Sequence, residues 1–210
     1  KLGVDKVADR LQAFFDNHAI PHETIPLTDH GDTLRAVVSG GDGNRPILLC
    51  GHRDTVFATG EVKKRPFSTR DGKAFGPGVA DMKPGLVINA FILAAFHKFG
   101  GHPNPLVGLF TGDEEVGSPS SKDVIIAEAE KARLAFNSEP SRPSGNIVTK
   151  RKGGIFCHCA ITGVAAHSGG FFTDGRSAIE ELAHKIQALH ALTDLDRGTT
   201  INVGLVKIGR

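Results

Sequence analysis

The sequence predicts an α/β fold: a mainly parallel sheet with helices on both faces, followed by half of a small α/β layer. Three observations predict it. Short apolar runs of strand length alternate with longer segments of helical period, the pattern of strands joined by crossover helices. A chain of 210 residues with 40% apolar content can fill one ordinary core and a smaller unit beside it. The character of the chain then changes after Glu139, where turn-forming residues replace the alternation.

The elements follow in order. Val4, Val7, Ala8, Leu11, Phe14 and Phe15 recur at helical spacing and predict an amphipathic first helix. Strands are predicted at Leu34–Ser39 and Ile47–Cys50, joined by the turn Gly40-Gly41-Asp42-Gly43-Asn44. Pro84–Lys98 reads as a mostly buried helix, with proline at its start and Gly100-Gly101 behind it. Leu106–Phe110 is the next strand, then a helix over about Lys122–Lys131 and a short strand at Leu134–Phe136. Pro140-Ser141-Arg142-Pro143-Ser144-Gly145 forms a turn-rich link and Arg151-Lys152-Gly153-Gly154 a second break. The expected division is therefore a first domain over 1–152 and a second, smaller one over 153–210. Within the second a strand is expected at Ile155–Thr162, a helix over about Ser177–Leu192 and a strand at Thr200–Val206.

Composition excludes several classes of function. Twenty-five Lys and Arg balance 23 Asp and Glu, and there is no Trp or Tyr, so no basic, aromatic-lined nucleic-acid surface is expected. The longest apolar stretch, Leu86–Phe96, is interrupted by Asn89 and is too short to span a bilayer. Three cysteines do not make a disulfide framework in a chain of this size, and a reducing, cytoplasmic setting is the expectation, with a removed leader left open by the first residue, Lys1.

Metal-ligand residue types gather where strands end, as ligands of α/β sheets do. Gly51-His52-Arg53-Asp54 follows one strand; an imidazole nitrogen there could bind a cation while Asp54 takes the other ring N–H and fixes the tautomer. Gly76-Pro77-Gly78-Val79-Ala80-Asp81-Met82-Lys83 brings one carboxylate to the start of a helix. Thr111-Gly112-Asp113-Glu114-Glu115-Val116-Gly117 sets three acids in a row at another strand end, and Asn137-Ser138-Glu139-Pro140 closes a fourth segment with a carboxylate. Read singly, each has an ordinary alternative: a surface turn, a helix-initiating Asp, a solvated acidic turn. Together they form a nitrogen and oxygen donor set suited to zinc or a similar divalent ion. Cys157-His158-Cys159 is read differently. On a strand the two thiols share a face and His158 points away, so the cysteines are expected as small buried hydrophobes.

These strings resemble the M20 metallopeptidase family. Gly51-His52-Arg53-Asp54-Thr55-Val56, Pro66-Phe67, Asp71 through Lys83, and Asp113-Glu114-Glu115-Val116-Gly117 are similar to its catalytic signatures. Arg151-Lys152-Gly153-Gly154, Gly163-Val164-Ala165-Ala166-His167-Ser168-Gly169 and Thr199-Thr200-Ile201-Asn202-Val203-Gly204 are similar to its lid strings, in the family's order. The Gly-Pro-Gly loop and the Asp54-Thr55-Val56-Phe57 continuation favour the glutamate carboxypeptidase (carboxypeptidase G2-like) branch.

The resemblance implies a role for each residue. His52 and Glu139 would hold one zinc, Asp81 would bridge two, and Glu115 would bind the second; cobalt or manganese could replace zinc. Glu114 would be the general base and Asp54 would orient His52. His167 would stabilise the oxyanion from across a homodimer formed through the lid. A cis peptide between Asp81 and Met82 is implied as well. The implied activity is hydrolysis of a peptide or N-acyl amino acid with release of a C-terminal glutamate-like residue. Deacylation of an N-acyl amino acid and a non-catalytic binding role stay as alternatives. Pro84 departs from the family's usual glycine. A last family histidine ligand would fall beyond Arg210, so an incomplete chain is expected; His184 and His190 fall on the lid helix and do not replace it.

Overall fold

The computed structural model describes residues 2–42 and 44–208, which form two compact units meeting between Val148 and Thr149. In the first unit a helix, α1 (Leu2–Asn17), precedes β1 (His22–Ile25), β2 (Thr33–Val38) and β3 (Ile47–His52). A short α2 (Glu61–Lys64) and a hairpin, β4 (Ser68–Arg70) with β5 (Lys73–Phe75), lead to α3 (Lys83–Lys98). Then come β6 (Leu106–Thr111), α4 (Lys122–Lys131) and β7 (Leu134–Asn137). The main sheet has the order β1-β2-β6-β3-β7, and β2 alone runs against the other strands.

The predicted strands and helices of this unit all form, with ends shifted by a residue or two. α1 buries Ala8, Leu11 and Phe15 and closes where Ala19 turns left-handed and the Ile20 N–H reaches the Phe15 carbonyl at 2.9 Å. β6 is buried at every residue, as a central strand covered on both faces must be. On one face Leu34, Ala36, Val38, Leu49, Leu106 and Phe110 pack against α1 and α3. On the other, Leu48, Val107 and Leu109 pack with Ala132 and with Val124 and Ile125 of α4. Helices therefore cover both faces.

α3 departs from expectation. It buries one face only, through Leu86, Asn89, Ala90, Leu93 and Ala94, while Val87, Ile88 and Phe91 are more than half exposed. An apolar composition cannot say how many faces a helix has neighbours for. Elements that the alternation did not predict are β1, whose His-Glu-Thr-Ile sequence is an edge strand with little apolar period, and the hairpin β4–β5. The hairpin turns at Asp71 and Gly72, both left-handed at φ 50° and 69°, the two-residue turn that matches strand twist. Gly43, in the expected Gly40–Asn44 turn, lies outside the described residues.

In the second unit α5 spans Ala178–His190, close to its expected bounds. Ser177 caps it, its hydroxyl accepting from the Glu180 N–H at 3.1 Å. The strands expected at Ile155–Thr162 and Thr200–Val206 do not form: among the described residues of this unit only isolated bridges occur, Val164 with Arg176 and Asp194 with Thr199. A strand exists only as part of a ladder, and neither segment finds one to join. Cys157 and Cys159 are accordingly exposed, not buried, since no sheet face forms to cover them.

Candidate metal centre

The parallel strands β3, β6 and β7 place their carboxyl ends side by side, and that edge collects the candidate ligands. Cys50 pairs with Asn137 and His52 with Thr111. Continuing the first register by two residues sets Glu139 level with His52, and the chain does so: the Ser138 N–H reaches the Cys50 carbonyl at 3.2 Å. Beyond Thr111 the chain turns through a 3-10 segment, Glu114–Val116, that carries both glutamates past the sheet edge. Asp81 arrives from the loop before α3, through a cis peptide bond to Met82. No side chain caps that helix, so Asp81 does not serve as its initiating residue.

His52 is 2% exposed and its two nitrogens face different partners. Nδ1 lies 3.2 Å from the Asp54 carbonyl and 3.3 Å from Asp54 Oδ1. Both are acceptors, so Nδ1 donates to Asp54, and Nε2 is the nitrogen whose lone pair a cation could take in exchange for a proton. Nε2 looks onto Asp81 Oδ1 at 3.0 Å, Glu139 Oε1 at 3.3 Å and Glu114 Oε2 at 3.8 Å. Two overlapping donor sets have all their ligand atoms within 4.8 Å of one another: His52, Asp81 and Glu115, and His52, Glu114 and Glu139. Asp54 also accepts the N–H groups of Glu114 at 3.2 Å and Glu115 at 2.9 Å, locking the glutamate turn to the histidine turn.

The electrostatics agree with a site built for positive charge. Burial alone would depress the His52 imidazole, but the Asp54 hydrogen bond and the charges of Glu139, Asp54 and Glu114 push it up to about 9. Burial, then repulsion from Asp81, raise the carboxyls of Glu115 and Glu139 above their ordinary value, with His52 pulling the other way. Carboxylates crowded around an imidazole nitrogen could hold a divalent cation, and nitrogen with oxygen ligands suits zinc.

Asp113 is not part of this set. It is buried and accepts from the Ser120 and Ser121 N–H groups, at 2.7 and 3.0 Å, and from the Ser121 hydroxyl. It ties the strand end to the start of α4. Sequence reasoning also passed over Arg53. Its side chain is fully buried, donating to the carbonyls of Thr111 (3.2 Å), Val4 (3.1 Å) and Asp32. Asn89, noticed only as an interruption, is completely buried between β3 and the chain after β7. A lone amide in an apolar helix was the signal to find it. His167 lies in the second unit, where its Nδ1 accepts the N–H groups of Gly169 and Gly170, both at 3.1 Å.

The family model for peptidase family M20/M25/M40 matches residues 48–203. The chain belongs to this family. Among curated M20-type relatives it is 30% identical over 181 residues to carboxypeptidase G2 of Pseudomonas sp. (strain RS-16), covering 85% of this chain and 43% of that protein. It is 32% identical over 193 residues to acetylornithine deacetylase of Myxococcus xanthus, covering 84% of this chain and 48% of that one. The chain thus spans less than half the length of each. Among solved structures, a tripeptidase from Staphylococcus aureus aligns with a TM-score of 0.61 at 16% identity, over 88% of this chain and 50% of that one. The M20 family metallo-carboxypeptidase of Sulfolobus solfataricus aligns at 0.56 and 16% identity, over 68% and 34%. At that identity the likeness to these two structures is one of fold alone. Among the described residues no helix is long and apolar enough to cross a membrane.

Proposed function

We propose that this M20 chain carries most of the metal-binding half of a zinc-dependent amide hydrolase. The observation that carries the reading is the buried His52 ring, held at Nδ1 by Asp54 and facing Asp81, Glu139 and Glu114 within 3.0 to 3.8 Å at Nε2. His52 and Glu139 would hold one ion, Asp81 would be shared with a second, and Glu115 would complete that second set. Zinc held there would supply a water of lowered pKa and a Lewis acid for an amide carbonyl. Glu114 is half-exposed beside this cluster, which supports a role as the base that would take the proton of the attacking water and return it to the leaving amine. His167 keeps its neutral proton on Nε2, because Nδ1 accepts two N–H groups, and that N–H suits the carbonyl oxygen as it gains charge. By family resemblance it acts across a homodimer.

The substrate is a peptide or N-acyl amino acid ending in a glutamate-like residue, by likeness to the carboxypeptidase. The 32% identity to acetylornithine deacetylase supports a second reading, deacylation of an N-acyl diamino acid. The test is hydrolysis by the natural protein carrying this sequence, stripped of metal and reloaded with zinc, cobalt or manganese. An N-acyl glutamate and an N-acetyl ornithine are compared as substrates. Zinc-dependent turnover of the glutamate compound supports the carboxypeptidase reading, and preference for the ornithine compound replaces it with the deacylase. No turnover of any amide overturns both.

A further inference from the structure

Asn89 sits in the buried face of α3, among Leu86, Ala90 and Leu93, where an unpaired carboxamide is costly. Both ends of its side chain are used. Nδ2 donates to the Cys50 carbonyl at 3.0 Å, and Oδ1 accepts the Ser138 hydroxyl at 2.6 Å. The Cys50 carbonyl also receives the Ser138 N–H at 3.2 Å. Asn89, Cys50 and Ser138 therefore close a ring of three hydrogen bonds joining α3, β3 and the segment after β7.

The position of that ring matters. Cys50 lies two residues before His52, Ser138 immediately precedes Glu139, and α3 begins directly after Asp81 and Met82. The three segments that deliver His52, Glu139 and Asp81 are thus tied together at one buried amide. The named β3–β7 pairs end at Asn137, and the Ser138 N–H bond to the Cys50 carbonyl is the last ladder contact before Glu139. A carboxylate displaced by a fraction of an ångström binds a cation less well, and groups that orient ligands are worth about 10- to 100-fold in metal affinity.

We propose that Asn89, through the Ser138 hydroxyl, is a positioning residue that sets the carboxylate of Glu139 against Nε2 of His52. The inference rests on the metal-site reading above. Neither residue touches the cation or substrate; their effect passes through the backbone at Ser138.

The test measures cobalt binding by the natural protein carrying this sequence, using the visible absorption bands of Co2+ and its Kd from calorimetry, beside the thermal midpoint. Ser138→Ala and Asn89→Leu are expected to weaken cobalt binding roughly tenfold or more and to alter the bands. Ser138→Thr, which keeps the hydroxyl, is expected to restore both. Leu93→Val, which trims the core face of the same helix, is expected to lower the midpoint and leave Kd and bands unchanged. The proposal is overturned if Ser138→Ala and Asn89→Leu lower the midpoint but bind cobalt as the unaltered chain does. If Asn89→Leu does not fold, Ser138→Ala against Ser138→Thr decides the matter alone. An unaltered chain with no cobalt bands overturns the metal site itself, a failure separate from that of the positioning role.

Discussion

Asp54 holds the backbone of Glu115, its Oδ2 accepting that residue's N–H at 2.9 Å while Oδ1 lies 3.3 Å from His52 Nδ1. One carboxylate thus sets the tautomer of the histidine and the position of the glutamate turn. Asp54→Asn should therefore weaken zinc binding about tenfold or more, with the fold retained. Competition with a chromophoric chelator measures it; unaltered zinc affinity would show that His52 needs no such partner.

Glu114 and Glu115 are neighbours in sequence with different assignments. Glu114→Gln in the natural protein should keep its metal and lose about a hundredfold or more in turnover. Glu115→Gln should lose metal first. Metal analysis after dialysis, paired with an amide-hydrolysis assay, separates the two, and the opposite pattern would exchange their roles.

Gly85 permits the close approach of α3 to the segment that carries Glu139. A Cβ built there would lie 2.0 Å from the Ser138 carbonyl oxygen, a backbone atom that cannot swing aside. Gly85→Ala should cost about 1 to 3 kcal/mol, the range for overpacking, despite alanine's better helix propensity. Urea unfolding measures this, and a stabilised variant would mean that α3 does not press on Ser138.

Arg53 is the side chain that fastens α1 and the Asp32 loop to the sheet. Removing it as Arg53→Met takes a buried side-chain donor from the carbonyls of Val4, Asp32 and Thr111, which accept from it. The expected loss is about 3 kcal/mol, as for breaking a buried hydrogen-bonded charge. Arg53→Lys should recover little, because one ammonium cannot reproduce the guanidinium's planar fork of donors. A lysine variant with the parent's urea midpoint would disprove the fork argument.

Glu128 on α4 supplies an acid-sensitive tie to β2. Burial raises its carboxyl, but the Lys131 hydrogen bond at 2.9 Å and Arg35 at 3.2 Å outweigh this and hold it below its ordinary value of 4.5. A carboxyl depressed by folding adds stability that is present above its unfolded pKa and lost as pH falls through the folded one. Glu128→Gln should therefore cost about 1 kcal/mol at pH 7. The two proteins should converge below the ordinary carboxyl range. A gap in urea midpoint that persists in strong acid would assign the effect to packing instead of charge.

The sequence by itself determined the alternating strands and helices of the first unit and which residues stand at its strand ends. Hydrophobic period and local turn chemistry are properties of neighbouring residues, and His52, Asp81, Glu114, Glu115 and Glu139 each close such a local pattern. Only the tertiary structure decided which acids converge. Asp113 sits beside Glu114 in sequence yet turns inward to the start of α4, because backbone N–H groups await it there. Glu139 reaches His52 because β7 lies next to β3 in one particular register, which no local pattern encodes. Asn89, an interruption in an apolar run, acquires its partners only when β3 and the segment after β7 meet over it. The same dependence explains residues 155–162 and 200–206. Their composition favours strands, but strand pairing is non-local, and without a ladder the propensity produces none.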